Sequence, residues 1–155
     1  MSKVLVATAG SEQDEIAIER AVRLLGDDHQ FLLLGVYSPV VPAVTMFPAG
    51  LAGTVPLSQR TWDDLQADAR LEAERAVRHC AGLVNGMITV QVEEGDVGET
   101  ICAVAASEEV DLIVVGSHHV GVLTRLFGRS ISENVVQHAP CPVLVIPPPD
   151  LDKSD

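Results

Sequence analysis

Asp111-Leu-Ile-Val-Val-Gly116 is the stretch that decides the fold. It is a short apolar run rich in β-branched residues, without polar alternation, and glycine closes it. A strand with one wet face alternates apolar and polar residues. One that is apolar throughout is buried on both faces and belongs to a parallel sheet between helices. Working outward, the same signature recurs at Val4–Thr8 (VLVAT), Phe31–Tyr37 (FLLLGVY) and Val143–Ile146 (VLVI), while Ile88–Val92 (ITVQV) alternates and breaks at Gly95.

The segments between these runs have helical periodicity. Ile18, Ala21, Val22 and Leu25 share a face, with Ser11 as expected N-cap, Asp14 in the capping-box position and Gly26 as C′ residue. Trp62, Leu65, Ala69, Ala73, Ala76 and Val77 mark a second helix over 60–81, for which a Glu74–Arg78 pair at i,i+4 is expected. Asp96 with Glu99 starts a third, lined by Val97, Ile101, Val104 and Ala105. Ser130 with Glu133 starts a fourth, lined by Ile131, Val135, Val136 and Ala139, and Pro140-Cys141-Pro142 ends it. Strand and helix alternate throughout, so the pattern predicts one doubly wound α/β domain over residues 1–147, with 148–155 a short acidic tail. The proline- and glycine-rich stretch Ser38–Ser58 reads as a long loop of functional type.

Composition excludes several classes. With 155 residues, 47% hydrophobic and 21% charged, the chain has the apolar content for a core and is not a disordered one. Ten Lys and Arg against 22 Asp and Glu give a net charge of −12, the wrong sign for nucleic acid or an anionic membrane surface. Three scattered cysteines form no disulfide or zinc framework and point to a reducing compartment. No apolar run has the length of a signal core or a membrane span, so a cytoplasmic protein is expected.

Open parallel sheets bind ligands beyond the carboxyl ends of their strands, where the strand order reverses. The candidate ligand-binding residues are therefore Thr8 and Ala9 after the first strand, Val36 at the end of the second, and Gly116, Ser117, His118, His119, Arg129, Ser130, Ile131 and Ser132 between the fourth strand and the last helix. A helix beginning at Ser130–Ser132 presents backbone N–H groups suited to an anion.

Four stretches together resemble the universal stress protein family across almost the whole chain. They are Val4–Ser11, Gly95-Asp96, Asp111–His118 and Ser130–Ile146 (SISENVVQHAPCPVLVI). The fold expected from pattern and resemblance is an open five-stranded parallel sheet, Rossmann-like, of strand order 3-2-1-4-5 with helices on both faces. In the ATP-binding branch of that family the glycine loop reads Gly-x2-Gly-x9-Gly-Ser/Thr. Its positions fall here on Gly116, His119, Arg129 and Ser130, and the aspartate usual before the first Gly-Ser is Ala9. Glycine lets backbone approach phosphate closely, and a Cβ at 119 or 129 alters that approach. Arg129 adds a fork of donors suited to phosphate. The resemblance also implies a homodimer paired through Val143–Ile146, and a bare apolar edge strand invites such pairing.

Bland readings stand beside these. His118-His119 has no carboxylate or cysteine at ligand spacing and reads as a solvated pair rather than a metal site. Arg129 pairs equally well with Glu133, Ser130 is first a helix cap, and Cys80, Cys102 and Cys141 read as structural. The acidic group Glu93, Glu94, Asp96 and Glu99 reads as a solvated edge. A flavodoxin-like carrier lacks aromatics near its phosphate loop, and a response-regulator receiver needs carboxylates where Ala9 and Gly10 stand. No catalytic constellation is apparent. The expectation is a non-enzymatic stress-response homodimer acting through a partner protein, with weak or altered binding of an adenine nucleotide. The alternative is an ATP-binding member, with Mg, acting as a nucleotide-dependent switch or slow ATPase.

Overall fold

The computed structural model describes residues 1–10, 12–37, 59–116 and 131–147. Their elements run β1 (Lys3–Ala7), α1 (Glu12–Leu25), β2 (Gln30–Tyr37), α2 (Gln59–Ala81), β3 (Met87–Glu94), α3 (Val97–Ser107), β4 (Leu112–Gly116), α4 (Ile131–His138) and β5 (Val143–Ile146). All strand pairs are parallel and the five-stranded sheet has the order β3-β2-β1-β4-β5. The expected α/β fold and strand order are both found.

Alternation along the central strands divides the core in two. Val4 and Val6 of β1, Phe31 and Leu33 of β2 and Val114 of β4 face α1 and α2, where they meet Ile18, Ala21, Val77 and Cys80. Leu5, Leu32, Leu34, Ile113 and Val115 face the other way, against Ile101, Val104 and Ala105 of α3 and Val135 of α4. A continuous apolar strand therefore buries both of its period-2 faces, and this is what the run at 111–116 required.

The register places the strand ends that matter. Val4, Leu5 and Val6 lie opposite Leu112, Ile113 and Val114, so β1 and β4 end together at the sheet's carboxyl edge. At the other edge, the Lys3 N–H donates to Asp111 Oδ2 at 2.8 Å and pins the strand starts. Helix ends follow their sequence signals where they are described. Gly26 takes φ +82° and its N–H donates to Val22 O, as a C′ glycine should. Asp96 caps α3 by accepting from the Glu99 N–H at 3.0 Å.

One expectation needs correction. The Glu74 carboxylate pairs with Arg70 at 3.2 Å, the residue four before it, and not with Arg78. The exposed α2 surface offers Glu74 a cation on either side, and such pairs are weak enough for either choice. The Asp14 carboxylate, in the capping-box position of α1, accepts from the Ala9 N–H at 2.9 Å. Ser11 and Ser130, the expected caps of α1 and α4, lie outside the described residues, as do the loop 38–58 and the tail 148–155.

Candidate ligand site at the carboxyl edge of the sheet

The chain runs outward from β1 through β2 to β3, then returns to place β4 on the other side of β1. The crossovers thus leave β1 in opposite directions, and a crevice opens beyond the carboxyl ends of β1 and β4. Thr8, Ala9 and Gly10 lie past β1, Gly116 ends β4, and Ile131 and Ser132 open α4. Val36, near the carboxyl end of β2, is partly buried and packs on the α3 side of the sheet. Ser117, His118, His119, Arg129 and Ser130 lie outside the described residues.

The turn after β1 is closed on itself. The Thr8 N–H donates to Leu34 O at 3.0 Å, which carries the β1–β2 ladder one residue past the strand. The Ala9 N–H is taken by Asp14 Oδ2, and the Gly10 N–H donates to Thr8 Oγ1 at 3.1 Å. Thr8 Oγ1 also lies 3.3 Å from Cys80 Sγ, so the turn is tied to α2 beneath it. Three successive amides are committed to the protein's own acceptors. In a phosphate-binding turn such amides are what a ligand uses.

Gly10 is the hinge of this arrangement. It sits at φ +77°, a left-handed conformation that favours glycine, and a Cβ there would lie 2.4 Å from Ala76 Cβ. The turn therefore rests directly on α2. Asp14 is only 4% exposed, so its carboxylate is held beside the Ala9 amide largely out of water. Burial pushes the Cys80 thiol up, partly offset by the Thr8 hydrogen bond, and burial likewise raises Cys102 and Cys141. None of the three is a poised thiolate.

On the β4 side, Gly116 pairs with Ile146, and Ile131 is half exposed at the start of α4. Close packing sets the α4 position. A Cβ on Gly98 of α3 would meet Asn134 Nδ2 at 2.8 Å, so the helices approach through the side chain that glycine lacks. Sequence reasoning assigned Thr8, Ala9, Gly116, Ile131 and Ser132 to this edge, and the structure brings them there. It missed Asp14, whose capping signal was visible but whose aim at Ala9 was not. It also missed the Thr8–Cys80 contact, which spans 72 residues and leaves no local signal.

With this crevice and topology in view, the comparisons with known proteins are decisive about kinship. The model of the universal stress protein family matches residues 1–147. The chain belongs to this family. A universal stress protein of Methanothermobacter thermautotrophicus is 32% identical over 147 residues, covering 93% of this chain and 94% of that protein. A Synechocystis member, Sll1654, is 38% identical over 86 residues, and that match spans only 53% of its length. Among solved structures, the Lactobacillus plantarum family member UspA shares the fold with a TM-score of 0.69 and 24% identity over 94% of this chain and 97% of that one. An Arabidopsis thaliana member described with AMP bound has a TM-score of 0.58 and 24% identity over 100% and 98% of the two chains.

Proposed function

We propose that this universal stress protein is a non-enzymatic, cytoplasmic stress-response homodimer that acts through a protein partner, with weak or altered binding of adenine nucleotides. The observation that carries the reading is the closed turn after β1. Thr8, Ala9 and Gly10 spend their amides on Leu34, Asp14 and Thr8, and Asp14 adds a buried carboxylate to the wall of the crevice beside this turn. Ala9 has no side-chain oxygen for a ribose hydroxyl or a metal hydration shell. The described residues therefore do not fit a triphosphate with Mg at this turn, and no hydrolytic step is assigned.

Relatives supply the class of ligand. The Arabidopsis protein carries AMP and another family member was solved with cAMP, so an adenine nucleotide is the ligand to test. Calorimetric titration with ATP and Mg is expected to give a dissociation constant weaker than about 0.1 mM, or about −5.5 kcal/mol. A micromolar constant overturns the reading and favours the nucleotide switch.

Dimerisation is supported by β5. Among the described residues β5 pairs only with β4, and Val145 is 36% exposed on that edge strand. An apolar edge of this kind is stabilised by a two-fold partner. Val145→Lys is expected to sediment as a monomer where the native chain sediments as a dimer. An unchanged dimer places the interface elsewhere.

A further inference from the structure

We propose that β3 and the groove between it and α3 form a docking surface for an extended basic segment of a partner protein, added as a sixth strand. The reading rests on an edge remote from the β1–β4 crevice and does not depend on nucleotide binding there. β3 is the outermost strand on its side, and among the described residues no strand pairs with its outer edge. It is eight residues long and matches β2 residue for residue from Gln30↔Met87 to Tyr37↔Glu94, without a bulge. Its sequence, MITVQVEE, contains no lysine or proline. Lysine, proline and bulges are among the devices by which proteins blunt an edge, and among the described residues nothing pairs with this row of outward amides and carbonyls.

The side chains say what would pair there. Met87 is 59% exposed and Val90 is 40% exposed, one on each face of this open edge strand. Ile88 and Val92 pack toward α2, so alternation turns Gln91 and Glu93 to the opposite face. There the sheet overhangs α3, leaving an open groove with Gln91, Glu93 and Glu94 on one wall and Glu99, Thr100 and Ala103 on the other. The Asp96 carboxylate is taken by the α3 cap, and the one cation that feels Glu93 among the described residues, Arg70, is itself paired to Glu74. An added strand would lay alternate side chains over these glutamates. Lysine or arginine at those positions finds carboxylates, whereas glutamate is repelled. A second copy is disfavoured at this edge for the same reason, since pairing β3 with β3 would bring Glu93 and Glu94 of both chains to one seam.

The test uses the full chain and a fluorescein-labelled peptide of alternating lysine and valine, matched to the length of β3, read by fluorescence anisotropy. Two control peptides carry glutamate for lysine or proline for valine. Expected results are binding of the lysine peptide, about tenfold or greater weakening for both controls, and similar weakening when salt rises from about 0.05 M to about 0.5 M. Glu93→Lys/Glu99→Lys and the isosteric Glu93→Gln/Glu99→Gln should each weaken binding by about tenfold or more while leaving the circular dichroism spectrum unchanged. Failure of the lysine peptide to bind overturns the proposal. So does equal binding of the proline peptide, which would mean charge alone, or undiminished binding to both folded variants. Self-association of the native chain that these variants abolish would assign the edge to a second copy instead.

Discussion

Replacing Gly10 with alanine is expected to lower the free energy of unfolding by roughly 2–5 kcal/mol, the sum of a left-handed backbone and an overpacked contact. At φ +77° an alanine is strained whatever the space around it. Its Cβ would also fall 2.4 Å from Ala76 Cβ and 3.0 Å from Ala76 Cα, so the obstacle includes backbone and not merely a flexible chain end. The turn cannot rise away from α2 freely, because Thr8 is tied to Leu34 and Cys80 and Ala9 to Asp14. The two contributions can be separated. Ala76→Gly alone should cost about 1 kcal/mol, the helix propensity difference. In the Gly10→Ala background it should instead restore part of the loss, because it removes the Cβ that clashes, while the left-handed cost of about 1–2 kcal/mol remains. Urea denaturation of the four proteins in this cycle measures the coupling. A Gly10→Ala protein as stable as the native one would show that the turn does not rest on α2 as described.

How much of this was legible in the sequence depends on whether the cause is local. The run at 111–116 demanded burial on both faces, and β4 is buried through Ile113, Val114 and Val115. The Gly26 and Asp96 caps also hold, because each is decided within one helical turn. Pairing that crosses the fold was not legible. Glu74 had a cation in reach on either side, and nothing in the sequence favoured Arg70 over Arg78. Thr8 meets Cys80 only because α2 lies beneath the β1 turn. For the ligand site, the strand ends located Thr8, Ala9 and Gly116, since a parallel sheet dictates which edge carries the loops. The acidic group Glu93, Glu94, Asp96 and Glu99 was read as a solvated edge from charge alone. Its position beside an open, unbulged strand could be seen only once β3 was known to be outermost.

Asp14→Asn is expected to strengthen nucleotide binding and weaken the fold at once. The native carboxylate stands in the first turn of α1, where the helix N-terminus favours negative charge, and accepts from the Ala9 N–H at 2.9 Å. Asparagine keeps an acceptor oxygen for that amide but loses the charge, so a loss of about 1–2 kcal/mol is expected. Asp14→Ala also leaves the Ala9 amide without this acceptor and should cost roughly 2–4 kcal/mol. The same change alters the crevice. A carboxylate only 4% exposed is poorly screened, and it opposes any phosphate brought to this turn. Its neutralisation should tighten ATP binding by roughly tenfold, equivalent to about 1.4 kcal/mol. Glu12→Gln is the control, because it removes an acid from the same helical turn at an exposed position, where screening leaves little effect. Paired denaturation and calorimetry distinguish the outcomes. Lower stability with unchanged affinity for both Asp14 variants would make the carboxylate purely structural and remove it from the account of weak binding. Opposite movements of stability and affinity would show that the chain holds its β1 turn closed with the very group that keeps phosphate away.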